Sequence, residues 1–148
     1  MKEWPILFRA DMVRAILAGR KAQTRRLGDR WAKAKPGDLL WVKETWARGA
    51  TGKIFYRASA PSEYAAHWKS PLFMSRDDSR IALRLMAVRR EKLKAITDAD
   101  VRAEGCPAAV AHPRDWYAAL WDEINGDDVA TAWHKNPLVW ALTFKAAQ

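Results

Sequence analysis

Residues 80–88 constrain the fold more than any other stretch. Ile81, Leu83, Leu85 and Ala87 alternate with Arg80, Ala82, Arg84 and Met86, so a strand here carries one cleanly apolar face. Further strands are expected at 4–9, 39–46, 53–58 and 138–145, where apolar, aromatic and β-branched residues gather. Lys35-Pro36-Gly37-Asp38 launches the second of these as a turn, because proline fixes φ and glycine takes the positive-φ position of a type II turn. The segments at 39–46 and 53–58 are close enough, across a glycine-containing loop, to form a hairpin.

Three helices are expected between the strands. Residues 11–18 place Met12 with Ile16 and Val13 with Leu17 on shared faces, and Gly19 stands where such a helix ends. Thr97-Asp98-Ala99-Asp100 reads as a capping box, and Gly105 closes that short helix. His112-Pro113 opens the third, with Trp116, Tyr117, Leu120, Trp121 and Ile124 as its apolar stripe and Asn125-Gly126 as its end. Strands and helices do not alternate strictly, which argues against a doubly wound sheet. Five or six short strands with about three helices point to an α+β pseudo-barrel, mixed but mostly antiparallel. No repeat, low-complexity tract or linker divides residues 1–148, so one domain is expected. Residues 59–78 lack periodicity and read as a long surface excursion.

Charge narrows the function. Lys and Arg number 26 against 17 Asp and Glu, a net +9, and the pI is near 10.0. That balance favours a polyanionic partner, nucleic acid first. No apolar run is long enough to span a bilayer. The one cysteine, Cys106, excludes an internal disulfide, and a cytoplasmic setting is expected. It also leaves no zinc pattern. Nine Trp residues are many for this length; some must pack the core, but nucleic-acid grooves also use aromatic faces for stacking.

The chemistry concentrates in Gly19-Arg20-Lys21-Ala22-Gln23-Thr24-Arg25-Arg26, which holds four cations, an amide and a hydroxyl. Read for hydrolysis, Thr24 is the nucleophile and Lys21 the base, provided burial and the neighbouring arginines lower its pKa. Glu44 is the candidate carboxylate, since period 2 puts it on the face of Leu40, Val42 and Trp46. The alternative for Glu44 is a structural ion pair with an arginine. Read for nucleic acid, Arg20, Arg25, Arg26, Lys43 and Lys53 face phosphates, while Tyr56 and Trp68 stack or hydrogen-bond. No cofactor is called for. RNA cleavage with a divalent cation, Mn or Mg, is an option, with Asp77-Asp78 and Asp127-Asp128 as acidic pairs.

Taken together, Gly19-Arg20-Lys21 with Thr24 and Arg25, Pro36-Gly37-Asp38 with Leu40-Trp41-Val42-Lys43-Glu44-Thr45-Trp46, and Asn136-Pro137-Leu138-Val139-Trp140 resemble the ASCH domain, in its phage and bacterial branch. The resemblance covers nearly the whole chain and implies a PUA-like fold that binds single-stranded RNA or a modified nucleoside in a cleft beside the barrel. Relatives of that kind include ribonucleases and an amidohydrolase branch that deacetylates N4-acetylcytidine. In the latter a Lys, a Thr three residues on and a downstream Glu act together. Lys21 and Thr24 match that spacing, and the Glu falls by register at Arg84. A non-catalytic RNA-binding or interaction module is the remaining reading.

Overall fold

Alternation at 80–88 builds the longest strand of the protein, and the rest of the sheet assembles on it. The computed structural model describes residues 1–61 and 67–147. In chain order the elements are β1 (Glu3–Leu7), α1 (Ala10–Leu17), β2 (Gln23–Arg26), β3 (Leu39–Lys43), β4 (Trp46–Arg48), β5 (Ile54–Tyr56), β6 (Ala82–Lys92), α2 (Asp98–Ala103), α3 (Pro113–Asn125) and β7 (Leu138–Ala146). Five strands form one sheet in the order β1-β3-β6-β7-β2, and β4 with β5 makes a separate two-stranded ribbon. Only β1 and β3 run parallel; the other pairings are antiparallel.

The expected alternation holds through Leu83 and Leu85, both essentially inaccessible, and then a bulge between Leu85 and Ala87 shifts the register against β7. The bulge lets β6 bend, as an extra residue on one strand does. Leu142 and Phe144 of β7 join Ile6, Val13, Trp31, Leu40 and Val42 in one core under α1. Val139, of opposite parity, joins Val101, Tyr117 and Trp121 in a second core under α2 and α3. The expected strand at 39–46 breaks into β3 and β4, so the ribbon is a hairpin of β4 and β5 rather than an extension of the main sheet.

The barrel itself is a correction. The sheet is mixed α+β as expected, but its hydrogen-bond ladder stays open between the edge strands β1 and β2. Two arginines stand where a further strand pairing would be. Arg26 of β2 donates through Nη2 to the Leu7 carbonyl at 2.7 Å, and Arg30 does the same to Pro5 at 2.7 Å. Pro5 sits in this edge strand without loss, because its missing N–H would have pointed away from β3. Residues 62–66 of the expected excursion, and residue 148, lie outside the described residues. The described part of the excursion is irregular, with one 3₁₀ turn at Pro71–Phe73.

Asp38 fastens the start of the chain to the turn before β3. Its buried carboxylate accepts from the Lys2 amide at 3.0 Å, the Trp4 indole N–H at 2.9 Å and the Lys35 amide at 3.0 Å. Those donors, the Lys2 amide first, hold its pKa below the ordinary aspartate value.

Candidate active site

Lys21 reaches its position because α1 stops abruptly. Gly19 adopts φ +78°, and the amides of Arg20 and Lys21 both donate to the Ala15 carbonyl, at 2.9 and 3.1 Å. The chain then turns into β2, which pairs with β7. The end of α2 comes up against this exit through Gly105, whose φ is +112°. A Cβ there would stand 3.3 Å from the Ala15 Cβ and 3.6 Å from the Lys21 Cβ, so glycine is favoured by its conformation first, and a side chain would also crowd Ala15. Ala22 donates to the Ala103 carbonyl at 2.7 Å and Arg20 Nη1 to the Gly105 carbonyl at 3.0 Å, sealing the contact.

This contact brings Glu104 onto Lys21. Lys21 Nζ donates to the carbonyls of Gln23 and Glu104, both at 2.8 Å, and to Glu104 Oε1 at 3.2 Å. The other carboxylate oxygen, Oε2, accepts from Arg25 Nη1 at 2.9 Å. Arg25 is also bound by Glu91 at 2.8 Å and Asp100 at 3.3 Å. Burial works against the Arg25 charge, but Glu104 and then Glu91 outweigh it and raise its pKa. Lys21 fares differently. Burial dominates there, Glu104 only partly offsets it, and the amine is pulled below the ordinary lysine value. The Tyr117 hydroxyl, buried beside Glu104, is pushed well above the usual tyrosine range, by desolvation first and by that carboxylate next.

Lys21, Thr24, Arg25, Arg26 and Glu104 line one pocket of about 600 Å³. That is the size of a small-ligand site. Its remaining walls are chiefly apolar and aromatic: Phe8 and Met12 on the α1 side, Tyr117, Leu120, Trp121 and Ile124 from α3. Arg57 and Pro71 also contribute to the lining. Thr24 Oγ1 accepts from Arg26 Nε at 3.3 Å, and the Arg26 guanidinium lies 4.8 Å from the Phe8 ring centroid. The arrangement is therefore an apolar pocket with charged groups on part of its wall, rather than an open basic cleft.

Three of the crystal structures most similar to this fold are informative. A hypothetical protein, PH0355, aligns over 98% of this chain and 99% of its own, with TM-score 0.57 and 12% identity. An ASCH domain from Lactobacillus crispatus JV V101 aligns over 98% of this chain and 79% of its own, with TM-score 0.50 and 14% identity. The chain has an ASCH-like fold. Protein EF3133 from Enterococcus faecalis V583, of the DUF984 family, matches it as well, over 99% of this chain and 81% of its own, with TM-score 0.55 and 10% identity. No family model matches the sequence, and no curated protein does. The resemblance read from the motifs at Lys21, Pro36 and Asn136 thus holds at the level of fold.

Within the ASCH-like fold the expected site residues divide into two groups. Lys21, Thr24, Arg25 and Arg26 converge on the pocket. Glu44 does not: it is 1% exposed and gripped by Arg80, whose Nε and Nη2 each lie 3.0 Å from one of its oxygens. The ion-pair alternative is the geometry found, and of the segment from Trp41 to Trp46 only Thr45 lines the pocket. Arg84 donates to the Gly37 carbonyl at 2.9 Å and also stands apart from the pocket. Lys43 donates to the Leu72 carbonyl at 2.9 Å, Lys53 covers the Phe55 ring, and Tyr56 donates its hydroxyl to the Asp78 carbonyl at 2.6 Å. Trp68 is half-buried under the Arg57 guanidinium, 5.7 Å from its centroid. These four lie outside the pocket lining.

Glu104 is the functional candidate that sequence reasoning missed, since its partner is 83 residues away. A signal was present: a carboxylate at a helix C-terminus opposes the helix dipole, so Glu104 needed a cation from elsewhere. Of the acidic pairs, Asp78 binds Arg48 at 3.1 Å, and Asp128 accepts from the Ala130 amide at 2.9 Å. Among the described residues no three His, Cys, Asp or Glu side chains gather as a metal site. No described helix is long and apolar enough to cross a membrane.

Proposed function

We propose that the pocket binds a nucleoside, free or within RNA, and hydrolyses an acyl amide on its base, N4-acetylcytidine being the substrate class. The observation that carries this reading is Lys21. Its amine is buried, its pKa is lowered, and it shares a nucleoside-sized apolar pocket with the Thr24 hydroxyl. Two of its three donor positions are committed to carbonyls at 2.8 Å; the longest bond, 3.2 Å, runs to Glu104 Oε1. Loss of that third proton to solvent, which burial favours, leaves a neutral amine with a lone pair. Lys21 then accepts the Thr24 proton as the Thr24 oxygen attacks the acyl carbon. The Arg26 Nε–H already bound to Thr24 Oγ1 favours the developing negative charge. When the carbon–nitrogen bond breaks, Lys21 returns the proton to the departing exocyclic amine. Water then cleaves the acyl-threonine ester, releasing acetate and restoring the hydroxyl.

Cleavage of an RNA strand is less well supported by this geometry. The residues expected to stabilise a phosphate or stack a base at Lys53, Tyr56 and Trp68 lie away from Lys21 and Thr24. One observation favours the non-catalytic reading instead: as an ammonium, Lys21 has an acceptor for each of its three protons, the state of a structural hub. Assay of N4-acetylcytidine with the full chain separates the two. Release of cytidine by the wild type and its loss in Lys21→Met, with the melting transition intact, supports the hydrolase. Binding of cytidine without turnover supports the binding module.

A further inference from the structure

α3 meets the pocket along one stripe. Tyr117, Leu120, Trp121 and Ile124 recur at helical spacing, and all four line it. Leu120, Trp121 and Ile124 offer only apolar surface there, since the Trp121 indole N–H is spent on the Thr131 carbonyl at 2.7 Å. Tyr117 adds one oxygen. A phenylalanine would fill nearly the same space without burying a hydroxyl that lacks a good partner.

Packing fixes the ring and leaves the hydroxyl unused. Tyr117 is 3% exposed, and its ring lies 6.4 Å from that of Trp121 and 6.3 Å from that of Trp133, centroid to centroid. The hydroxyl makes no close, well-aligned hydrogen bond among the described residues. Glu104 stands beside it, but Lys21 and Arg25 already hold one carboxylate oxygen each, at 3.2 and 2.9 Å. The cationic donors buried in the lining are committed: Lys21 makes three bonds, and both Arg25 Nη atoms are engaged. Arg25 Nε has no partner among the described residues, but it is fully enclosed.

Hydrolysis by Lys21 and Thr24 leaves one atom unserved. As the Thr24 oxygen bonds to the acyl carbon, an electron pair moves onto the acyl oxygen. Arg26 Nε serves the attacking oxygen, 3.3 Å from Thr24 Oγ1, and not the acyl one. An oxyanion forming in a largely apolar pocket needs a donor already in place. Tyr117 lines the same pocket, and the charges that act on its hydroxyl are those of the site: Glu104, Arg25 and Arg26. Desolvation keeps the phenol protonated well above the usual tyrosine range, so it still donates where Lys21 has become a neutral base.

We infer that Tyr117 is a further catalytic residue of this pocket, its hydroxyl donating a hydrogen bond to the acyl oxygen of the substrate as that oxygen becomes negative. No proton leaves the phenol. The electron pair returns to re-form the carbonyl when the carbon–nitrogen bond breaks, and Lys21 carries the proton to the departing amine. This role rests on the hydrolase reading of Lys21 and Thr24. The alternative role is indirect, with the hydroxyl acting on Glu104 alone and through it on Lys21.

Steady-state hydrolysis of N4-acetylcytidine across pH, by the full chain and by Tyr117→Phe, separates the two roles. The melting transition and the affinity for cytidine, measured on the same preparations, establish that fold and pocket persist. Turnover is compared below the melting transition of the variant. The plateau kcat of Tyr117→Phe is expected to fall about 10²-fold, as on removal of one oxyanion donor. KM, cytidine affinity and the pH at which the rate rises should be little changed, the mark of a bond made only in the transition state. An unchanged plateau kcat overturns the inference. If the rise also moves to higher pH, the hydroxyl acts through Glu104, which then grips the Lys21 ammonium more tightly in its absence. A wild type that releases no cytidine removes the hydrolase reading and this role with it, whereas an active wild type matched by Tyr117→Phe removes this role alone.

Discussion

Glu104 and Lys21 meet at 3.2 Å across 83 residues of chain, and the same carboxylate holds Arg25 at 2.9 Å with its other oxygen. One side chain thus pairs with two buried cations and joins the end of α2 to the start of β2. Glu104→Gln keeps the shape but removes the charge. It is expected to cost about 3–5 kcal/mol, as removal of one partner from a buried ion pair does. Lys21→Met, which leaves the Glu104–Arg25 pair standing, is expected to cost less. Urea denaturation of the two variants checks the order, and the reverse order contradicts the shared-carboxylate geometry.

The lowered pKa of Lys21 has a definite sign. The folded protein releases this proton at lower pH than the unfolded chain does, so between the folded value and the ordinary lysine value near ~10.4 the unfolded state holds more protons. Stability therefore gains as pH rises through that window. Subtracting the Lys21→Met curve isolates the effect. A difference that stays flat from neutral pH to above the ordinary lysine value contradicts the shift. Hydrolysis should rise with pH through the folded value for the same reason, since only the neutral amine accepts a proton.

Asp38 gives the opposite sign. Its pKa is depressed by the Lys2 amide, the Trp4 indole and the Lys35 amide, so its contribution is present above the ordinary aspartate value near ~3.9 and is lost as pH falls through the folded one. Asp38→Asn replaces one acceptor by a donor and is expected to cost about 1–3 kcal/mol at neutral pH. The penalty should shrink in acid, where the wild-type carboxyl is itself protonated. Equal penalties at neutral and acid pH would argue against these bonds.

Glu44 tests how the pocket is bounded. Arg80→Met strands a carboxylate that is 1% exposed, with an expected loss of about 3–5 kcal/mol. Glu44→Gln should leave hydrolysis unchanged at temperatures where the variant stays folded, because Glu44 lies outside the pocket lining. A fall in kcat with Glu44→Gln would restore it as a catalytic candidate.

Local signals were readable before any coordinates. The capping box of Thr97 and Asp100, the positive-φ glycines at 19, 37 and 105, and the buried parity of Leu40, Val42, Glu44 and Trp46 all follow from short-range rules. So did the convergence of Lys21, Thr24, Arg25 and Arg26, which are close in sequence. What escaped were relations between distant segments. The open ladder between β1 and β2 is a relation between strands far apart in the chain, and no periodicity encodes it. The break between β3 and β4 falls at Glu44 and Thr45, where Glu44 pairs with Arg80 from 36 residues away. Glu104 stayed hidden because Gly105, which reads as a helix stop, is also the point where two helix ends touch.

The most direct measurement of the central claim is turnover of N4-acetylcytidine by the wild type beside Thr24→Ser and Thr24→Val, with intact-mass detection of the acylated chain. The account predicts cytidine and acetate from the wild type, retained turnover in Thr24→Ser with an acyl group trapped on residue 24, and none in Thr24→Val. Turnover undiminished in Thr24→Val, or no release of cytidine by any of the three while all are folded, would contradict it.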